Sequence, residues 1–224
     1  VKFDNILVSG CSWCYRPYDY SKPVGVRKTD IIGMTKTEAI NLCFGKILSD
    51  KYNVDYKNIA GPGASNDLSF FEIVNNTLNN DLKNSLVILG ITELSRFFVH
   101  HKKNRKVIKP KGASNSDVFK LSEENIKTFH EVKVSLTDEE MQLQEITMMC
   151  DLLQGFLKSR NSNLLVFNSF MDGIVLEGRD YYYDGFKSWA RHIETYSDNY
   201  KFNRHPNAYD HKLLANDLYE YLNG

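Results

Sequence analysis

The 224-residue chain reads as an α/β protein, a three-layer αβα sandwich around a mostly parallel sheet of five strands or four. Three observations predict it. Ile6-Leu7-Val8, Leu86-Val87-Ile88-Leu89 and Leu164-Leu165-Val166-Phe167 are short, continuous apolar runs of buried-strand type. Segments with apolar residues at helical spacing stand between them, the alternation that builds parallel sheets. The runs stop in small or turn-forming residues, and in such sheets ligands lie beyond the carboxyl ends of the strands.

The first strand covers about residues 5–9 and ends in the tight turn Gly10-Cys11-Ser12-Trp13. Residues 14–36, rich in Tyr, Pro, Gly and Lys, read as an irregular loop. Thr37 caps a helix to about Tyr52, with Ala39, Leu42, Cys43 and Ile47 on one face. Asn53 to Ala60 is a second strand, Gly61-Pro62-Gly63 a turn, and Ser65 the N-cap of a helix to about Asn80. The third strand follows at Leu86–Leu89. The polar, basic stretch 97–137 breaks the alternation and reads as an insertion in a single domain spanning 1–224. Thr137-Asp138-Glu139-Glu140 has the pattern of a capping box and opens a helix to about Arg160. Met141, Ile146, Met149, Leu152, Leu153 and Phe156 are expected to face inward there, the methionines as core. After the strand at Leu164–Phe167 comes a mixed segment, 171–204, with the run Tyr181-Tyr182-Tyr183. Pro206 suits the first turn of a last helix to about Leu222, whose apolar side is Leu213, Leu214, Leu218, Tyr221 and Leu222.

Composition narrows the function classes. Apolar residues make up 42% and charged residues 25%, which is ordinary for a globular protein with a sizeable core. Lys plus Arg equals Asp plus Glu at 28 each, so no global field favours nucleic acid or membrane. The basic cluster from His100 to Lys106 reads as a solvated loop. Cys11 and Cys14 have C-x-x-C spacing, but no second pair completes a zinc site. With Cys43 and Cys150 they read as reduced and mostly buried, and no metal site is expected. No signal segment and no apolar run of membrane length is present, which predicts a cytoplasmic (host-cell) or virion location rather than secretion.

Ser12 is the first candidate for chemistry. A serine where a strand end feeds a helix can be a nucleophile, and it can equally be a turn residue. Other strand ends supply usable partners. Gly61-Pro62-Gly63-Ala64-Ser65-Asn66 lets backbone amides approach a ligand and opens a helix toward it. Gly90-Ile91-Thr92-Glu93-Leu94-Ser95-Arg96 follows the third strand, and His205-Pro206-Asn207 starts the last helix. Arg96 can hold a substrate carboxylate or phosphate, or pair with Glu93 or Asp67. His211, one helical turn after His205, competes with it as a base.

Taken in order, these blocks resemble the SGNH (GDSL-type) hydrolases, in particular a divergent branch common in tailed phages. Gly10-Cys11-Ser12-Trp13 stands where that family has its nucleophile. Asn58-Ile59-Ala60-Gly61-Pro62-Gly63 stands where it has its oxyanion glycine, and Leu89-Gly90-Ile91-Thr92-Glu93 where it has Gly-x-Asn-Asp. His205-Pro206-Asn207 resembles the closing Asp-x-x-His-Pro block. The resemblance implies a flavodoxin-like sandwich of SGNH type and an acyl transfer without cofactor. Ser12 would be nucleophile and His205 base, and Ser12, Gly63 and Thr92 or Asn66 would form the oxyanion hole. A small ester or acylated glycan would be the substrate. Three departures stand out: Cys11 replaces an acidic residue at a packing position, Thr92 replaces the oxyanion asparagine, and Phe202 replaces the aspartate that orients the histidine. Asp198, Asp210 or a backbone carbonyl can substitute for that aspartate. The rival reading is an SGNH fold kept as a virion structural or glycan-binding module, with the insertion as a contact surface and possible homo-oligomer contacts. A nucleotide-binding flavodoxin-like protein is disfavoured, since no Walker or G-x-G-x-x-G pattern occurs. The insertion and the run Tyr181–Tyr183 are expected to shape the substrate side.

Overall fold

A computed structural model describes residues 2–17, 35–94, 138–170, 172, 174, 176, 178–196 and 205–224. The expected insertion at about 97–137, most of the loop at 14–36, and Arg96, Asp198 and Phe202 lie outside the described residues.

Four strands, β1 (Asn5–Gly10), β2 (Asp55–Asn58), β3 (Ser85–Ile91) and β4 (Asn163–Asn168), form one sheet in the order β2-β1-β3-β4. Every pairing is parallel, and the register sets Gly10 against Gly90 and Gly90 against Phe167. The helices are α1 (Ser12–Tyr15), α2 (Lys36–Ile40), α3 (Phe44–Tyr52), α4 (Asn66–Asn79), α5 (Glu139–Lys158), α6 (Trp189–Tyr196) and α7 (Ala208–Asn223).

Strand alternation sorts the core into two faces. Ile6, Val8, Leu86, Ile88, Leu165 and Phe167 point to one side, against Phe44, Leu48, Trp189, Leu214 and Leu218. Leu7, Val87, Leu89, Leu164 and Val166 point to the other, against Phe70, Ile73, Ile146, Cys150 and Leu153. This is the expected three-layer sandwich. Among the described residues, the choice between five strands and four resolves at the edge of β4. There Val166 N–H donates to Tyr181 O at 2.7 Å and Tyr183 N–H to Val166 O at 2.8 Å, forming a single parallel bridge rather than a strand. The three tyrosines are buried as edge cover and core, which corrects the expectation that they shape the substrate side.

Helix boundaries follow their caps. The expected helix from Thr37 to Tyr52 is two helices. Thr35 starts α2 as a capping box, its Oγ1 accepting from Glu38 N–H at 3.2 Å and its own N–H donating to Glu38 Oε2 at 2.6 Å. Asp138 caps α5, its side chain accepting from Glu140 N–H. The buried stripe of α5 is Ile146, Cys150, Leu153 and Leu157, while Met141 and Leu152 are 58% and 66% exposed, so two of the expected inward positions face out. Ser65 occupies the N-cap position of α4, but its hydroxyl makes no capping bond. Asn207 caps α7 in a reciprocal capping box with Asp210. Pro206 therefore precedes the cap instead of lying in the first turn. Leu214, Ala215 and Leu218 pack α7 inward, with Tyr221 exposed.

Candidate active site

Ser12 opens α1 directly beyond β1, a helix of four residues where the sequence predicts a tight turn running into a loop. Two glycines make room for it. A Cβ on Gly10, whose φ is +134°, would lie 2.8 Å from both Cys14 Sγ and Gly90 O. A Cβ on Gly90 would lie 2.3 Å from Cys14 Sγ and from Ser169 Oγ. Either contact would push the helix off the strand ends, so the paired glycines let it seat where Ser12 stands. Asn58 at the end of β2 fixes the far end of α1, its Nδ2 donating to the carbonyls of Cys14 and Tyr15, each at 3.0 Å. Those carbonyls have no helical partner. The sequence reading missed Asn58 in this role, because a place in the second strand does not show which distant carbonyls its amide reaches.

Ser12 Oγ is 2.8 Å from His205 Nε2. With that nitrogen unprotonated, the hydroxyl donates to it. Ser12 is 7% exposed and His205 half-buried, and the pair sits at the carboxyl edge of the sheet. Asp210 holds the histidine-bearing segment through its helix cap: Asn207 N–H donates to Asp210 Oδ2 at 2.7 Å, and Asp210 N–H to Asn207 Oδ1 at 3.0 Å.

The glycine turn lies beside the serine. Gly61 N–H donates to Gly10 O at 3.0 Å, tying the turn to the end of β1. Ala64 N–H closes the turn on Gly61 O at 3.0 Å. Pro62 and Gly63, the latter at φ +70°, are the central residues that a type II turn calls for. The turn's own bond uses the Ala64 N–H and leaves the Gly63 N–H outside it. Thr92 and Asn66 are brought together by two bonds. Thr92 N–H donates to Asn66 Oδ1 at 2.8 Å, and Asn66 Nδ2 donates to Thr92 O at 3.1 Å. One N–H of the Asn66 amide is thus committed to Thr92's backbone, and its oxygen pins the Thr92 N–H. Thr92 Oγ1 itself is buried with no hydrogen-bond partner among the described residues, a cost of about 1–3 kcal/mol unless something else accepts its proton.

The rival histidines have other roles. His211 is fully buried, accepts Phe44 N–H on Nδ1 at 3.2 Å and stacks on the Phe44 ring, so it caps α3. Burial pushes its pKa down to about 3. His192 is 2.9 Å from Asp217 and stacks on Phe186. All four cysteines are free and buried, and burial raises the Cys14 thiol well above its usual range, so the C-x-x-C pair is packing. Among the described residues no three His, Cys, Asp or Glu side chains gather as a metal site, and no helix is long and apolar enough to cross a membrane.

No family model and no curated protein matches the sequence. Solved structures do. The psychrotrophic esterase EstA from Pseudoalteromonas is 11% identical, with 99% of this chain and 100% of that chain covered and a TM-score of 0.51. A member of the lipolytic G-D-S-L family from Veillonella parvula is 11% identical, covering 98% of each chain at a TM-score of 0.50. A carbohydrate esterase of family 2 with a carbohydrate-binding domain, from Corynascus thermopiles, is 10% identical, with 97% of this chain and 65% of that one covered at 0.52. The chain has the SGNH-hydrolase fold. The expected phage-like branch finds no support among these neighbours.

Proposed function

We propose that the protein is a serine-dependent ester hydrolase that transfers an acyl group through Ser12 to water. The observation that carries this is the 2.8 Å contact between Ser12 Oγ and His205 Nε2 at the carboxyl edge of a parallel sheet. His205 takes the Ser12 proton as the oxygen attacks the ester carbonyl, then gives it to the leaving alcohol. The N–H groups of Ser12 and Gly63 and the Thr92 hydroxyl receive the developing oxyanion. An orphaned donor held rigidly by Asn66 suits that task, since it needs no reorganisation during reaction. A carbohydrate O-acyl ester fits as substrate, in line with the carbohydrate esterase among the neighbours.

Hydrolysis of p-nitrophenyl acetate and of acetylated sugars tests the reading. Wild-type protein should turn over, and Ser12→Ala should lower kcat by at least about 10⁴-fold. Wild-type rates equal to buffer would favour the second reading, an SGNH fold kept for binding or assembly. Two sequence observations speak for it: Thr92 in the place of the asparagine and Phe202 in the place of the aspartate.

A further inference from the structure

The family pattern orients its histidine with an aspartate three residues earlier, and this chain has Phe202 there. An aromatic ring stands close to the imidazole. Trp13, next to the nucleophile, has its ring centroid 5.8 Å from that of His205, with the planes at 36°. The indole is 3% exposed and is itself clamped. Phe170 meets it edge-on at 5.5 Å and Trp189 at 5.9 Å. One turn of α1 therefore presents two contacts to His205: Ser12 Oγ at Nε2, and a clamped indole beside the ring that bears it.

We infer that Trp13 is a positioning residue for His205. This rests on the proposed Ser12–His205 chemistry. A flat, rigid neighbour at this distance restricts rotation of the imidazole and keeps Nε2 on Ser12. The tilted approach of the indole, with 5.8 Å between centroids, also lies within the range at which an aromatic ring stabilises a cation, here the imidazolium that forms when Ser12 gives up its proton. The residue acts through His205 and touches no reacting atom.

The test compares Trp13→Phe, which keeps an aromatic face, with Trp13→Leu, which does not. Trp13→Met stands in should the leucine variant fail to fold, as judged by thermal unfolding. Two quantities are read on the full chain: the rate of Ser12 phosphonylation by a fluorophosphonate, and the imidazole ¹⁵N shifts of His205, which report its tautomer. Trp13→Leu should slow phosphonylation about ten-fold, within the range a desolvated cation–π contact supplies. Its ¹⁵N shifts should move toward a tautomer average, while Trp13→Phe stays within about three-fold of wild type with its shifts kept. Equal rates in all three proteins, equal losses in both variants, or unchanged ¹⁵N shifts in Trp13→Leu overturn the inference. If wild type is not phosphonylated, the serine chemistry fails, and the ¹⁵N shifts alone still decide whether Trp13 positions the ring.

Discussion

Ser12 and His205 stand 193 positions apart in the chain and 2.8 Å apart in space. Taken alone the serine favours the turn-residue reading, and only the later strand ends give it partners. At this scale the fate of each departure from the family pattern differs. Cys11 is a buried packing residue, as expected. Thr92 keeps a hydroxyl that nothing in the described residues binds, on a backbone pinned by Asn66. Thr92→Val should therefore lower kcat by roughly 100-fold with little change in KM, the size seen when an oxyanion donor is removed. Steady-state kinetics on a soluble ester would check it, and an unchanged kcat would take Thr92 out of the oxyanion hole. Asn66→Ala should have a similar kinetic effect plus a loss of stability of about 1–3 kcal/mol, because Thr92 N–H is then left buried and unpaired.

At the scale of elements, close approaches and caps decide where the site sits. Gly90→Ala places a methyl 2.3 Å from Cys14 Sγ and Ser169 Oγ. Overpacking of that kind costs about 1–3 kcal/mol, and urea unfolding should show at least this loss together with a collapse of activity as α1 shifts. The break between α2 and α3 has its own device, the imidazole of His211 on the Phe44 N–H. The sign of its pH dependence follows. Burial depresses the folded-state pKa to about 3, below the unfolded value of about 6.5. The stability it contributes is complete above about pH 6.5 and is lost as the pH falls from there toward 3, by at most about 1.4 kcal/mol per pH unit. Urea unfolding at pH 7, 5 and 4 should show a shallower decline for His211→Phe than for wild type. Parallel slopes would mean His211 is not buried neutral. None of these devices is visible in periodicity. The spacing of Ile146, Cys150, Leu153 and Leu157 was present in the sequence, yet neighbouring Met141 and Leu152 are as apolar, so the helix face was misjudged. Similarly, Thr35 and Thr37 are both plausible caps by residue type, and only the bond to Glu38 separates them.

Across the whole molecule, the apolar runs were enough to read the sheet and its three layers, because continuous burial on both faces leaves a plain signature. The site's location was legible for the same reason, since a parallel sheet gathers its strand ends on one edge. What stayed hidden are contacts set by the approach of distant side chains: Asn58 on the carbonyls of α1, Trp13 on His205, and the tyrosine run folded against β4. The two apolar faces share one sheet, so we expect the chain to unfold in a single calorimetric transition; two separated transitions would argue against one domain. The central claim is that this fold activates Ser12 through His205. Its most direct measurement is fluorophosphonate labelling followed by mass spectrometry of the modified peptide. The account predicts one label on wild type, carried by Ser12, none on Ser12→Ala, and strongly slowed labelling of His205→Ala. Absence of label on wild type, or equal labelling of Ser12→Ala, would contradict it.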